Sequence, residues 1–161
     1  VFVCLDAHLD LREAYDGNEW SHACVTRRVL ETVEEAIILG ARTGSAAEWE
    51  RAEEDDVTVV VPEDVDDWLA DPPDFEGRSA YLSVDIDAAD PAFAPGTGTM
   101  EPFGLTPRQM RDVVRAVAPH CEGVDVVEVN DRDDGQAAAL GGKLLREFVF
   151  AHAADHAAGD R

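Results

Sequence analysis

The stretch VFVCLDAHLD, Val1 to Asp10, runs from an apolar segment directly into two carboxylates and an imidazole. Its first five residues are continuous and apolar, which is typical of a strand buried on both faces of a parallel sheet. The residues Asp6, His8 and Asp10 follow at once. Residues two apart on an extended chain point to the same side. We therefore expect these three side chains to converge where the strand ends.

Four more short runs rich in Val, Ile or Leu recur along the chain, with breakers between them. They are Ala36 to Leu39, Val57 to Val61, Ala80 to Ile86 and Val124 to Val129. Helical patterns lie between several of these runs, namely His22 to Ala36 and a helix capped by Thr106, and a last helix follows them from about Gln136 to Ala151. Strand–helix alternation predicts an α/β fold with a mainly parallel sheet and helices on both faces.

A second carboxylate cluster ends the fourth run, where Asp85 and Asp87 are followed by Asp90. Ligands of open parallel sheets bind beyond the carboxyl ends of the strands. Several carboxylates in one pocket would have steeply raised pKa values unless cations neutralised them. Carboxylates mixed with imidazole suit Mn²⁺, Mg²⁺ or Fe²⁺. The alternative is that these aspartates cap the following turns or helices. Two metal ions about 3.5–4 Å apart activate a shared water, so the clusters predict metal-assisted hydrolysis.

Composition limits the classes of function. The chain has 161 residues, 45% of them apolar, and we expect residues 1–161 to form a single domain. No apolar run approaches the ~20 residues of a membrane span, and there is no signal-peptide pattern, which predicts a cytoplasmic protein without membrane contact. The formal net charge of −22 argues against nucleic acid as a partner. It indicates a salt-rich, halophilic cytoplasm. The alternative is steering of a cationic substrate in dilute solution.

Four motifs, DAHLD, SHAC, SVDIDAADPAFAPGTGTMEP and EVN, resemble in order and spacing those of the ureohydrolases, the family of arginase and agmatinase. The resemblance implies an arginase-like three-layer α/β/α fold. It also implies a dimanganese hydrolase that splits a guanidino compound into urea and an amine, and a homo-oligomer. The stretches EAYDGNEWSHAC and APGTGT look more like agmatinases, which would place the enzyme in polyamine biosynthesis.

The resemblance also implies roles for single residues. Asp6 and Asp85 look like ligands that bridge two Mn²⁺ ions, and His8 and Asp87 would complete one of the two sites. Asp10 would bind the other ion and accept a hydrogen bond from the bridging hydroxide.

Two further residues would act on the substrate. His22, in SHAC, resembles the active-site histidine that shuttles a proton toward the leaving amine. Glu128, in EVN, resembles the carboxylate that pairs with the guanidinium. Without their motifs, both would be read as ordinary surface residues.

The chain departs from the family pattern at Met100, Phe103 and Asp131, which border the implied pocket and could alter substrate choice. Family members also carry a histidine ligand in a Gly-Asp-His motif well before the DAH segment, and residues 1–161 contain no such motif. We therefore expect the C-terminal, N-terminally truncated portion of the fold. Five of six manganese ligands would be present, with one metal under-coordinated.

Three hypotheses follow. The first is a manganese-dependent agmatinase-type hydrolase that converts agmatine to putrescine and urea. The second is a truncated, catalytically silent metal-binding protein. The third keeps the hydrolase but changes the substrate to arginine, guanidinobutyrate or another guanidino compound.

Overall fold

The structure, a computed structural model, describes residues 1–73, 75 and 77–159, with the side chains of residues 155–159 left out. Five strands alternate with helices. The strands are β1 (Phe2–Leu5), β2 (Ala36–Leu39), β3 (Val57–Val60), β4 (Ala80–Asp85) and β5 (Cys121–Val127). The α-helices are α1 (Val25–Val29), α2 (Ala46–Arg51), α3 (Val65–Ala70), α4 (Pro107–Val117) and α5 (Gln136–Gly159). Short 3₁₀ helices span His22–Cys24, Pro62–Asp64, Ile86–Ala88 and Ala118–His120.

The strands form one sheet in the order β3-β2-β1-β4-β5, and every neighbouring pair is parallel. This confirms the predicted parallel sheet. The fifth strand begins and ends earlier than its apolar run suggested, because its ladder with β4 runs from Cys121 opposite Ala80 to Val127 opposite Asp85. Glu128 consequently lies immediately beyond β5.

The core lies on both faces of the sheet. In β1, Val3 and Leu5 pack with residues of α3, α4 and α5, whereas Phe2 and Cys4 pack on the opposite face beside Val29. Side chains alternate between the two faces of a strand, so this division is a direct consequence of the pleat. Helical segments therefore cover both faces, which confirms the three-layer α/β/α architecture.

Two helices differ in length from their patterns. The helical segment predicted from His22 to Ala36 ends at Val29, and Ala36 already begins β2. That prediction was wrong beyond Val29 because the apolar residues after it pack against the sheet without continuing the helix. The last helix extends to Gly159, past the predicted end near Ala151. None of the described helices combines the length and apolar character that crossing a membrane requires.

Helix α4 begins as its sequence predicted. Thr106 accepts a hydrogen bond from the Gln109 backbone N–H, and the Gln109 side chain accepts one from the Thr106 backbone N–H. This reciprocal capping box satisfies amide groups that the first turn leaves without partners. It also ends the long loop that follows β4.

Candidate metal centre

The two carboxylate clusters meet because their strands are neighbours. In the β1–β4 ladder, Leu5 lies opposite Val84, so Asp6 and Asp85 follow at the same carboxyl edge of the sheet. Asp87 reaches back across this edge, and its Oδ1 accepts a hydrogen bond from the Ala7 backbone N–H at 3.0 Å. The predicted convergence of the strand ends is therefore present in the folded chain.

Asp6, His8 and Asp87 form the tightest group at this edge. Each offers one ligand atom, and these three atoms lie within 4.8 Å of one another. The His8 Nδ1 atom is 3.0 Å from Asp87 Oδ2 and 3.5 Å from Asp6 Oδ1. Both aspartates are buried, with only 4% of each residue exposed. Two buried carboxylates and one imidazole nitrogen thus face a common point.

The electrostatics of the cluster are unfavourable for bare carboxylates. Burial, together with the charges of Asp6 and Asp87, raises the pKa of Asp85 to about 10. Burial and the charge of Asp6 raise the pKa of Asp10 to about 8. The His8 pKa is raised to about 11 because the ring pairs with Asp6 and Asp87. Protons or divalent cations would compensate the negative charge of such a cluster.

A cavity of about 560 Å³ opens above the cluster, and the other predicted residues line it. Its lining includes Asp10, His22, Asp85, Asp87 and Glu128. Only Asp6, of the seven residues singled out from the sequence, lies below the lining, where it is buried.

The backbone directs two of these residues into the cavity. Asp10 and Glu128 both have left-handed backbone conformations, with φ of 51° and 57°. Such values are uncommon for residues other than glycine and are concentrated at functional sites. His22 begins a 3₁₀ turn, and its ring lies 5.7 Å from the Tyr15 ring, centroid to centroid. Tyr15 therefore forms a wall of the cavity beside His22.

Among the lining residues that the sequence reasoning missed, three carry charged side chains: Arg12, Glu48 and Glu101. Glu48 is buried, accepts hydrogen bonds from the Ser45 backbone N–H and hydroxyl, and pairs with Arg12 at 3.2 Å. The S-x-x-E spacing of Ser45 and Glu48 is a capping-box signal that could have revealed helix α2. No local signal could have shown that this helix start borders the cavity.

Comparison with known proteins decides the family. A sequence profile of the arginase family matches residues 1–151. This chain belongs to the arginase family. The resemblance inferred from the four motifs is thereby confirmed.

Several relatives are similar over most of this arginase-family chain. An agmatinase of Bacillus anthracis is 36% identical, with the alignment covering 93% of this chain and 54% of the relative. The N(1)-aminopropylagmatine ureohydrolase of Thermococcus kodakarensis is also 36% identical, over 89% of this chain and 51% of the relative. The chain thus spans about half the length of the curated relatives it matches.

Solved structures agree with this family membership. The agmatine ureohydrolase of Thermoplasma volcanium superposes with a TM-score of 0.82 at 36% identity, covering 94% of this chain and 54% of that one. The proclavaminate amidino hydrolase of Streptomyces clavuligerus gives a TM-score of 0.83 at 30% identity, covering 97% of this chain and 56% of that one. The arginase-like fold predicted from the motifs is confirmed.

Proposed function

We propose that this chain carries the dication-binding core of a manganese-dependent ureohydrolase that hydrolyses a guanidino compound, most simply agmatine, to urea and an amine. One observation carries the proposal: Asp6, His8 and Asp87 present ligand atoms within 4.8 Å of one another, at the floor of a cavity that Glu128 also lines. Names of relatives support the same chemistry, since agmatinases are among them.

The residues at the strand ends fit divalent cations. Asp6, His8, Asp10, Asp85 and Asp87 would hold them, because oxygen ligands with an imidazole nitrogen match Mn²⁺ and the described cysteines are buried and form no ligand cluster. The raised pKa values of Asp10 and Asp85 support the fit, because buried carboxylates with few positive charges near them favour the binding of cations. When bound, such cations supply Lewis-acid activation of water and substrate.

Glu128 is suited to bind the guanidinium. A carboxylate pairs with a guanidinium through two parallel charge-assisted hydrogen bonds, which fix both position and plane. A Cβ placed on Gly98 would lie 3.1 Å from Glu128 Oε2, so the loop after β4 passes close beside this carboxylate. This packing would limit the directions in which Glu128 can turn and keep it aimed at the substrate.

His22 and Asp10 would handle protons in the same cavity. His22 is exposed at the cavity, beside Tyr15, where an imidazole can exchange protons with water and with a leaving amine. Asp10 lies closer to the strand ends and is half-buried. We propose that Asp10 accepts a hydrogen bond from the attacking water and that His22 gives a proton to the amine that departs.

The charge of the cavity favours a substrate whose far end is not anionic. The acidic lining residues are Asp10, Glu48, Asp85, Asp87, Glu101 and Glu128. Arg12 is the one arginine or lysine in this lining, and its guanidinium is already paired with Glu48. The α-carboxylate of arginine would therefore meet no unpaired guanidinium or ammonium group there. Agmatine, whose far end is an amine, fits this environment better than arginine or guanidinobutyrate.

A urea assay on the 161-residue chain with excess Mn²⁺ tests the proposal. The panel comprises agmatine, N1-aminopropylagmatine, arginine and guanidinobutyrate, and we expect the first two to be preferred. Asp85→Ala should abolish both Mn²⁺ binding and urea release, and full activity in that variant would overturn the mechanism. Mn²⁺ binding without turnover of any substrate would favour the silent metal-binding alternative.

We also propose the wider setting that the sequence suggested. Residues 1–161 would form a single domain of a homo-oligomer that acts in a salt-rich cytoplasm, in polyamine biosynthesis. The formal charge of −22 supports the salt-rich setting, because concentrated ions screen repulsion between carboxylates. Light scattering after size-exclusion chromatography, in dilute buffer and in molar KCl, tests the oligomer and its dependence on salt.

A further inference from the structure

The His8 ring has carboxylates at both of its nitrogen atoms. Nδ1 faces Asp6 and Asp87, as described above. On the opposite edge of the ring, Nε2 lies 3.8 Å from Glu101 Oε1, which is an ion-pair separation. Glu101 is half-buried and comes from the long loop after β4, far along the chain from His8. Neither its motif nor the function proposed above assigns this side chain a role.

The backbone of Glu101 is fixed by one guanidinium. Arg42 Nη2 donates to the Glu101 carbonyl at 2.7 Å and to the Asp87 carbonyl at 2.9 Å. Arg42 Nη1 donates to the Gly40 carbonyl at 2.8 Å, and Nε donates to the Pro102 carbonyl at 3.1 Å. Arg42 therefore ties the end of β2, the turn after β4 and the Glu101 loop to one another.

The far end of the same loop is also held. Asp90 Oδ2 accepts hydrogen bonds from the backbone N–H groups of Phe103, at 2.8 Å, and Gly104, at 3.2 Å. Phe103 has a left-handed backbone with φ of 66°. Residues kept in this uncommon conformation require surrounding contacts that impose it. The Glu101 loop is thus clamped from two sides, which fixes where its carboxylate lies.

We infer that Glu101 is a positioning residue for the metal site: it pairs with His8 Nε2 so that Nδ1 stays directed at Asp6 and Asp87, and Arg42 holds Glu101 in place. Histidine ligands of metals commonly donate their second N–H to a carboxylate, which fixes the tautomer and the ring orientation. The inference rests on the proposed function, because it takes His8 as a ligand. It gives Glu101 a role that neither the motifs nor the comparisons assign.

Mn²⁺ affinity of the 161-residue chain, measured by titration calorimetry, tests the inference. We expect Glu101→Ala to weaken Mn²⁺ binding about 10- to 100-fold, the range typical of lost outer-shell partners. Glu101→Gln keeps an oxygen acceptor without the charge. Its Mn²⁺ affinity should fall below that of the wild type, but severalfold less than in Glu101→Ala. Glu53→Ala removes an exposed carboxylate elsewhere and should bind Mn²⁺ as the wild type does. If the alanine variant does not fold, the glutamine variant alone decides, and wild-type affinity in it would overturn the inference.

A spectroscopic readout separates positioning from general destabilisation. In the Co²⁺-loaded wild type, the His8 Nε2–H should give a paramagnetically shifted exchangeable proton signal, protected by Glu101. That signal should be lost or broadened in Glu101→Ala, and Arg42→Lys, which cannot reach the same carbonyls, should weaken it. The Mn²⁺ affinity losses of Arg42→Lys and Glu101→Ala should combine to less than their sum, because the two residues act through one contact.

The outcomes distinguish this inference from the proposed function. Wild-type chain that binds no Mn²⁺ would overturn both. Wild-type binding with unchanged affinity and an unchanged proton signal in Glu101→Ala would overturn only the role of Glu101. Fully additive losses for Arg42 and Glu101 would remove Arg42 from that role.

Discussion

The Nδ1 atom of His8 lies 3.0 Å from Oδ2 of Asp87, although the two residues follow different strands. This contact joins the two carboxylate clusters into one group with Asp6.

Removal of the Asp87 carboxylate should strongly weaken the binding of Mn²⁺. We expect Asp87→Ala to weaken Mn²⁺ binding by more than about 100-fold, beyond the losses typical of outer-shell partners, because a direct ligand is lost. Asp64→Ala removes an exposed aspartate from a 3₁₀ turn and serves as the matched control. Calorimetric titration of both variants makes the comparison, and equal affinities would contradict the assignment of Asp87.

The metal-free chain should lose stability at the cluster as pH rises. The pKa of Asp85 is raised to about 10 by burial and by neighbouring carboxylates, whereas an unfolded aspartate titrates near pH ~4. Folding therefore takes up a proton between these two values. The contribution is full below pH ~4 and is lost as pH rises toward about 10.

Comparison with Asp85→Asn isolates this effect from the other acidic residues. In EDTA, the free energy of unfolding of the wild type minus that of the variant should fall from pH 5 to pH 8. The slope should not exceed about 1.4 kcal/mol per pH unit. Denaturant unfolding at the two pH values measures the difference, and a constant value would contradict the raised pKa.

Divalent metal should reverse this loss. Mn²⁺ at about 100 times its Kd should stabilise the folded chain by about 2.7 kcal/mol. At one fixed Mn²⁺ concentration, the rise in Tm should be larger at pH 8 than at pH 5, because cations compete with the protons that the cluster otherwise holds. Thermal unfolding with Mn²⁺ and then with excess EDTA checks both points. A larger rise at pH 5 would show that the cation binds elsewhere.

Gly104 should be intolerant of a side chain. A Cβ there would lie 2.5 Å from Arg42 Nη2 and 2.6 Å from the Asp90 backbone nitrogen. We expect Gly104→Ala to destabilise the chain by about 1–3 kcal/mol through overpacking. Gly142, in helix α5, has nothing within 4 Å of the same added atom, so Gly142→Ala should stabilise by about 0.5–1 kcal/mol. Chemical denaturation of the pair tests the contrast, which equal effects would refute.

The cap of helix α4 gives a prediction independent of the site. Thr106→Ala removes the side-chain acceptor of the Gln109 N–H and should cost about 1 kcal/mol. Thr106→Ser retains a hydroxyl and should stay close to the wild type. Urea unfolding of both variants provides the measurement, and a serine variant as unstable as the alanine variant would show that the methyl group matters more than the cap.

Strand positions were accessible from the sequence because buried parallel strands are continuous and apolar. The first four strands match their runs to within one residue at either end. The helix predicted after His22 was too long. The apolar residues beyond Val29 pack against the sheet, as those of a helix would, but their backbone is not helical. Apolar periodicity reports burial, and burial alone does not distinguish a helix from a packed irregular segment.

Some residues of the candidate site could likewise be predicted from the sequence, and others could not. Motifs and strand ends pointed to Asp6, His8, Asp10, Asp85 and Asp87, and five of the seven predicted residues are part of two local clusters. Arg42 carries no such signal, Glu48 carries only a capping-box spacing, and Glu101 lies in a motif that does not reveal its contact with His8. Their places depend on a helix start, a clamped loop and a strand end that meet only after the sheet forms.

The amino-acid order by itself determined that apolar strands would end in carboxylates and that these ends would share one edge, because parallel strands align their carboxyl termini. Tertiary structure alone decided which of those groups touch and what surrounds them. The physical reason is that a strand's pleat fixes side-chain direction locally, whereas the contacts of His8 with Asp87 and Glu101 depend on the register and loop anchoring of distant segments.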